Sequence, residues 1–230
     1  MLQIDDLSKS YEGRPIIEGL SLTVERAEIQ VVAGLNGSGK STLLKLVAGL
    51  LRPDRGRIFI NGDDITHLAP EDRWIGYVPQ RASLFRTMSV EENVTYCLRN
   101  HRGNKDHIHK LIDMLELQEV LHKRVDTLSG GYQSRVSLAR SMAAQPRVML
   151  MDEPLSDLDI AIKEALIPKF KEALRMLGVP VLYVTHDPLE AGLMGTRFSL
   201  VVAGKLQHAG SADEAFRIIQ GRFDLRQGTR

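Results

Sequence analysis

The spacing of apolar positions changes character along the chain, and the changes divide it. Leu20-Ser21-Leu22-Thr23-Val24 alternates apolar and polar residues, the two-residue period of a strand with one solvated face. Short apolar runs at 2–4 and 29–33 predict two further strands, with Ser10-Tyr11-Glu12-Gly13 as the turn between the first two. Leu43-Leu44-Lys45-Leu46-Val47-Ala48 predicts a helix, Pro53-Asp54-Arg55-Gly56 a turn, 57–60 a strand and Asn61-Gly62 a hairpin signal. A strand at 75–78 ends at Pro79-Gln80. The strand signal then disappears. Ser89-Val90-Glu91-Glu92 is a capping box opening a helix to about residue 98. A second helix is expected over 106–117, and a third after Thr127-Leu128-Ser129-Gly130-Gly131, continuing to Ala144, where Gln145-Pro146 stops it. Strands resume at Val148-Met149-Leu150-Met151, whose unbroken apolar run suits burial on both faces. A helix over 158–177, which Pro168 is expected to bend or interrupt, precedes a buried strand at 181–184. Residues 198–202 and the Gly204-Lys205 turn predict a terminal hairpin, and the last few residues are expected to fray. The whole predicts one α/β domain over 1–230, with a core of 1–84 and 146–230 and a helical lobe of 85–145 inserted into it.

Composition narrows the class of function. With 230 residues, 43% of them hydrophobic and 26% charged, the chain has enough material for one large core and a hydrated surface. A net charge of +1 supplies no general attraction to nucleic acid or anionic lipid, so no nucleic-acid partner is expected. The single cysteine, Cys97, excludes an internal disulfide and reads as a small buried apolar residue on a helix. No apolar stretch approaches the ~20 residues a membrane span needs, and Met1-Leu2-Gln3-Ile4-Asp5-Asp6 has no secretory pattern. A cytoplasmic location is expected, with any membrane role exercised through a partner.

The candidate chemistry begins at Gly34-Leu35-Asn36-Gly37-Ser38-Gly39-Lys40-Ser41-Thr42. It lies between the strand at 29–33 and the helix at 43–48, the context that a G-x-x-x-x-G-K-[ST] phosphate loop requires. Glycines let successive backbone amides turn toward one centre, and the helix N-terminus adds partial positive charge. Lys40 would place a full charge on the β- and γ-phosphates, while the Ser41 hydroxyl would help hold Mg²⁺. Asp152-Glu153 directly follows the buried strand at 148–151. An apolar strand ending in carboxylates puts them at the carboxyl edge of a parallel sheet, beside the phosphate loop. There Asp152 can hold Mg²⁺ and Glu153 can polarise an attacking water. His107 and His109, on an exposed helix, read as solvated and not as metal ligands.

At this point the chain resembles the nucleotide-binding subunits of ABC transporters, over essentially its whole length. Residues 34–42 match Walker A and 148–153 match Walker B; Leu128-Ser129-Gly130-Gly131 matches the signature motif that separates this family from other P-loop NTPases. The resemblance implies a RecA-like core with an antiparallel β subdomain and an inserted helical subdomain. It implies that Tyr11 stacks on adenine, that Gln80 is the Q-loop glutamine near metal and γ-phosphate, and that His186 is the switch histidine. Ser156-Asp157-Leu158-Asp159 looks like the D-loop, whose Asp159 joins Ser129, Gly130 and Gly131 as nucleotide-binding residues. Two departures stand out: Tyr132 where glutamine is common, and Asp157 in the D-loop. Walker A and the signature lie too far apart to serve one nucleotide, so the resemblance implies a head-to-tail dimer, of two copies or of related subunits, around two ATP molecules. Permease subunits and a solute-binding protein are the implied partners. Gly76 to Gln80, followed by Ser83-Leu84-Phe85 and Met88 to Val94, resembles importer subunits for molybdate, tungstate, sulfate and similar small solutes. A regulatory domain common in those relatives is expected to be absent or carried on another chain. Exporter and lipoprotein-release subunits share most of the motifs, and a soluble ABC ATPase is the remaining alternative. Leu84 and Phe85 read as apolar loop residues, suited either to docking a membrane partner or to packing within the helical lobe.

Overall fold

The computed structural model describes the backbone of residues 1–227 and the side chains of residues 1–221; the expected fraying of the final residues lies outside them. Its first sheet is antiparallel, in the order β2 (Arg14–Val24), β1 (Leu2–Tyr11), β4 (Arg55–Ile60) and β5 (Asp63–Asp64). Leu2 and Ile4 of β1 pair with Val24 and Leu22 on one side and with Ile60 and Ile58 on the other. These rows share one buried face, the result expected of period-two patterning. Both N-terminal strands run further than their apolar cores predict. Tyr11 belongs to β1, and only Glu12 and Gly13, with φ of 49° and 77°, make the turn. Positive φ at both centres gives the twist a two-residue hairpin needs.

The second sheet has the order β10 (Lys205–Ala209), β9 (Arg197–Val202), β3 (Ile29–Ala33), β8 (Val181–Thr185), β7 (Val148–Asp152) and β6 (Ile75–Val78). It is parallel from β9 to β6, with β10 antiparallel at its edge. The strands lack alternation because both faces are covered. Val31, Met149, Met151 and Tyr183 pack toward the helices, while Val32, Leu150, Leu182 and Val184 face α1 (Lys40–Ala48) and the antiparallel sheet. β8 separates β3 from β7, so the phosphate loop after β3 and the acids after β7 emerge on the same sheet edge.

Between β6 and β7 the described residues contain only helices and one isolated bridge, Ser89 to Arg124. α2 (Val90–Thr95) opens with both halves of its capping box formed, then tightens into a 3₁₀ turn. α3 (Lys105–Met114) and α4 (Gly130–Ala143) follow. His107, expected to be solvated, is half-buried with its Nε2 3.3 Å from the Met142 carbonyl. Cys97 is half-buried in the 3₁₀ turn, with its thiol pKa pushed up by burial. α5 (Ile160–Leu177) runs through Pro168 without interruption. The carbonyl that loses its partner belongs to Glu164, which is exposed, so water can replace the missing donor. α6 (Pro188–Met194) and α7 (Ala212–Gln227) complete the described chain.

Arg73 is the largest fully buried side chain. Its guanidinium donates to the carbonyls of Leu46 and Val47 in the last turn of α1, each at 2.9 Å, and to those of Thr66 and Leu68 at 2.7 and 3.0 Å. No carboxylate pairs with it among the described residues. Its charge is met by carbonyl dipoles alone.

Candidate functional site

The β3-to-α1 loop begins the site. Gly39 adopts φ 106°, and a Cβ there would lie 2.8 Å from the Ile16 carbonyl oxygen, so both conformation and space require glycine. Lys40 then starts α1, and its ammonium bends back onto the loop's own Gly34 and Leu35 carbonyls at 2.8 and 3.0 Å. It is 4% exposed and 3.7 Å from the Glu153 carboxylate. Burial lowers its pKa; the neighbouring Glu153 and Asp152 charges partly oppose that shift.

At the end of β7, Asp152 accepts a hydrogen bond from Ser41 Oγ at 3.0 Å and another from the Tyr77 hydroxyl at 3.1 Å. Burial raises the Asp152 pKa against the effect of these two bonds, and burial together with this carboxylate raises that of Tyr77. Glu153 takes a left-handed backbone, φ 49°, uncommon for a side chain of its kind. Its amide bonds the Val184 carbonyl at 2.9 Å while its carboxylate lies between Lys40 and His186, whose Nδ1 is 2.8 Å away. Gln80 is exposed, with its amide 3.5 Å from Ser156 Oγ.

One open cavity of about 490 Å³ gathers these groups. Tyr11, Asn36, Gly37, Gly39, Lys40, Ser41, Thr42, Gln80, Glu153 and His186 line it, together with Ile16 of β2. Ser38 instead faces a smaller cavity of about 170 Å³ on the far side of the loop, with its hydroxyl buried and without a partner. Asp152 sits behind Ser41. Ser129, Gly130, Gly131 and Asp159 take no part in the large cavity. Ser129 stands at the N-cap of α4, exposed, with its hydroxyl unused for capping. Gly131 is buried against α5, where an added Cβ would come within 3.2 Å of Ile162. Asp159 likewise occupies the N-cap of α5 without a side-chain bond. The arrangement offers a cation, a carboxylate with its imidazole, and loop amides converging on one volume, beside a second, separate set of unpaired groups.

Three groups close to this chemistry carry no signal in the sequence. Ile16 and Tyr77 are ordinary strand residues until the sheet brings them to the loop and to Asp152. Behind His186, Lys163 reaches Asp187 and Glu190 across a sequence gap that no spacing rule links.

Residues 17–156 match the family described as ABC transporter. The chain is 40% identical over 210 residues to the molybdate/tungstate import ATP-binding protein WtpC of Methanocaldococcus jannaschii, covering 90% of this chain and 69% of that protein. It is 34% identical over 226 residues to the Fe(3+) ions import ATP-binding protein FbpC of Escherichia coli O157:H7, covering 96% of this chain and 65% of that one. The fold superposes on a nucleotide-free ATP-binding cassette of an ABC transporter with TM-score 0.82 at 21% identity, covering 96% and 95% of the two chains. It also superposes on a bacterial ABC transporter cassette solved as a dimer, with TM-score 0.81 at 26% identity and coverages of 92% and 99%. The chain belongs to the ABC transporter family, with the α/β cassette fold of its ATP hydrolases, and stands there with the ATP-binding subunits of importers.

Proposed function

We propose that two copies of this chain, or one copy and a related subunit, close head to tail around two ATP molecules and drive a separate membrane permease. The observation that carries this reading is the division of the candidate groups. Lys40, Glu153 and His186 share one cavity, whereas Ser129, Gly131 and Asp159 are held apart with their polar groups unspent. A second subunit would supply to each cavity what its own chain leaves elsewhere. The reading includes a core of 1–84 and 146–230 and a mobile lobe of 85–145, supported by the absence of named strands between Val78 and Val148 among the described residues.

In this mechanism the amides of residues 36–42 and the N-terminus of α1 cradle the phosphates, and Tyr11 takes the adenine face. Lys40 leaves its own loop carbonyls for the β- and γ-phosphate oxygens. Ser41 and Asp152, with Gln80, offer oxygen donors that would hold Mg²⁺, which when bound would supply charge stabilisation to the phosphates. Glu153 orients a water in line with the γ-phosphorus, whose bond to the bridging oxygen breaks as the new one forms. His186 holds Glu153 through Nδ1, leaving Nε2 for the γ-phosphate. The Ser129 hydroxyl and Gly131 amide of the second subunit complete the cradle.

Among the described residues no helix is long and apolar enough to cross a membrane, in keeping with a membrane contact made through the permease. We place the chain on the cytoplasmic face, serving uptake of an oxyanion or other small solute, with a solute-binding protein delivering it. The relatives' printed solutes, molybdate, tungstate, glycerol phosphate and Fe(3+), differ among themselves, in keeping with selection by partner chains. Glu153→Gln tests the mechanism. It should bind ATP as the unaltered chain does, lose hydrolysis by at least about 100-fold, and run as an ATP-dependent dimer on size exclusion. Turnover near the unaltered rate would remove Glu153 from the mechanism.

A further inference from the structure

Lys163 lies on the first turn of α5, its amide bonded to the Asp159 carbonyl at 3.0 Å. Its ammonium is 8% exposed and reaches two carboxylates of the β8–α6 junction, Asp187 at 2.6 Å and Glu190 at 2.9 Å. Glu190 is fully buried and also accepts from the Tyr183 and Thr185 hydroxyls at 2.9 and 3.0 Å. The Thr185 oxygen accepts from the Asp187 amide at 3.0 Å, and Asp187 caps α6 by accepting from the Leu189 amide at 2.8 Å. Burial favours the neutral amine of Lys163, but the bonds to Asp187 and Glu190 outweigh it and keep the ammonium charged. Burial is likewise overcome at Asp187, whose carboxyl Lys163 holds below its ordinary range.

His186 is the one residue between Thr185 and Asp187. Both of its neighbours are therefore fixed to the Lys163–Glu190 pair while its ring points the other way, to Glu153 at 2.8 Å. The head of α5 is exposed on its outer side, with Ile160 at 68%, next to Asp159. We propose that Lys163 is a positioning residue for hydrolysis: its ammonium ties the head of α5 to the His186 turn and so sets the histidine that holds Glu153. The inference rests on the ATP-hydrolysis reading above. A cluster that only satisfied the buried Glu190 would need none of this; it would act on stability and leave a folded protein's turnover alone.

The decisive variants are Lys163→Arg, which keeps the charge, and Lys163→Met with Glu190→Gln, which removes the ammonium together with the fully buried carboxylate and leaves Asp187, partly exposed, to its capping bonds on α6. The double variant should melt within a few degrees of the unaltered chain and bind ATP within about twofold of it. Its kcat should fall at least tenfold at unchanged KM, and Lys163→Arg should recover at least half of the loss. The His186 ring resonance, assigned by its disappearance in His186→Ala, should shift or broaden in the double variant and stay in place in Lys163→Arg. A double variant turning over within twofold of the unaltered chain, with its His186 resonance unmoved, would overturn the proposal. So would losses of kcat, ATP affinity and melting temperature in parallel, or a Lys163→Arg as slow as the double variant at unaltered stability. Were the unaltered chain itself to hydrolyse no ATP, the ATPase reading would fail, and the resonance alone would still decide whether Lys163 places the histidine.

Discussion

Asp152 sets the cost of the site at the scale of one residue. Its folded pKa is raised by burial, so with no cation beside it the ionised form is worse off in the folded chain than in the unfolded one. Its contribution to stability is fully present below the ordinary aspartate pKa of about 4 and is lost as pH rises through the raised value. Asp152→Asn removes that penalty. The Ser41 and Tyr77 hydroxyls can each donate or accept, so either can turn to suit the amide. In the absence of nucleotide and Mg²⁺ the variant should melt higher than the unaltered chain at pH 7, by a few degrees. The gain should shrink to nothing below about pH 4, and ATPase activity should be lost at every pH. Thermal melts across pH check this, and a variant less stable at pH 7 would contradict it. Among single residues, those inside a contiguous motif were legible in the sequence: Lys40, Ser41, Asp152 and Glu153 announce themselves by order and spacing. Tyr77 and Lys163 did not, because their partners lie 75 and 24 residues away. The left-handed backbone that aims Glu153 was equally hidden, since no composition rule assigns positive φ to a glutamate.

At the scale of elements, α2 serves the segment that follows Gln80. Asn93 is fully buried and its side chain clamps Phe85 from both ends, accepting from the Phe85 amide at 2.9 Å and donating to the carbonyls of Phe85 and Ser89 at 3.1 and 2.9 Å. Leu84 packs on the core, whereas Phe85 keeps 39% exposure, with its ring 4.5 Å from that of Tyr96 and the Arg140 guanidinium 5.0 Å from its centre. Leu84 thus takes the packing role that the sequence offered to both, and Phe85 joins it in part, leaving some of its ring at the surface. Asn93→Ala strands the Phe85 amide, while the Phe85 and Ser89 carbonyls keep the Met88 and Asn93 amides as donors, and should cost about 2 kcal/mol, read as a lower denaturant midpoint. Phe85→Ala, with the backbone clamp intact, should cost under about 1 kcal/mol. Equal losses from the two would show that the ring, and not the clamp, holds the segment. Elements were legible where apolar period and caps agreed, as at Ser89 and in the buried runs at 148 and 181. They were misjudged where tertiary contacts extend or relax a local rule. β1 and β2 grow beyond their apolar cores by pairing with one another, and α5 continues through Pro168, whose freed carbonyl belongs to an exposed residue, Glu164.

For the whole molecule, the shared site makes a complementation experiment informative. Lys40→Ala should be inactive, and so should Ser129→Arg, whose bulk would fill the γ-phosphate position of the opposite subunit. A mixed dimer places both lesions in one site and none in the other, so mixing the two inactive proteins should restore part of the hydrolysis. Specific activity of the unaltered chain should also rise with protein concentration. Activity that stays flat down to concentrations where the chain is monomeric, with no recovery on mixing, would sink the shared site. The proposed dimer is legible in the sequence only indirectly, as two candidate phosphate-binding features, 34–42 and 129–131, carried apart on one chain. Arg73 adds a consequence on the same scale. Its guanidinium rests on the last carbonyls of α1, the negative pole of a nine-residue helix about 13 Å long. With that pole neutralised, the amide end at the phosphate loop is left as a nearly isolated positive terminal, and a positive residue on the far side of the helix thereby deepens the well into which the anion falls.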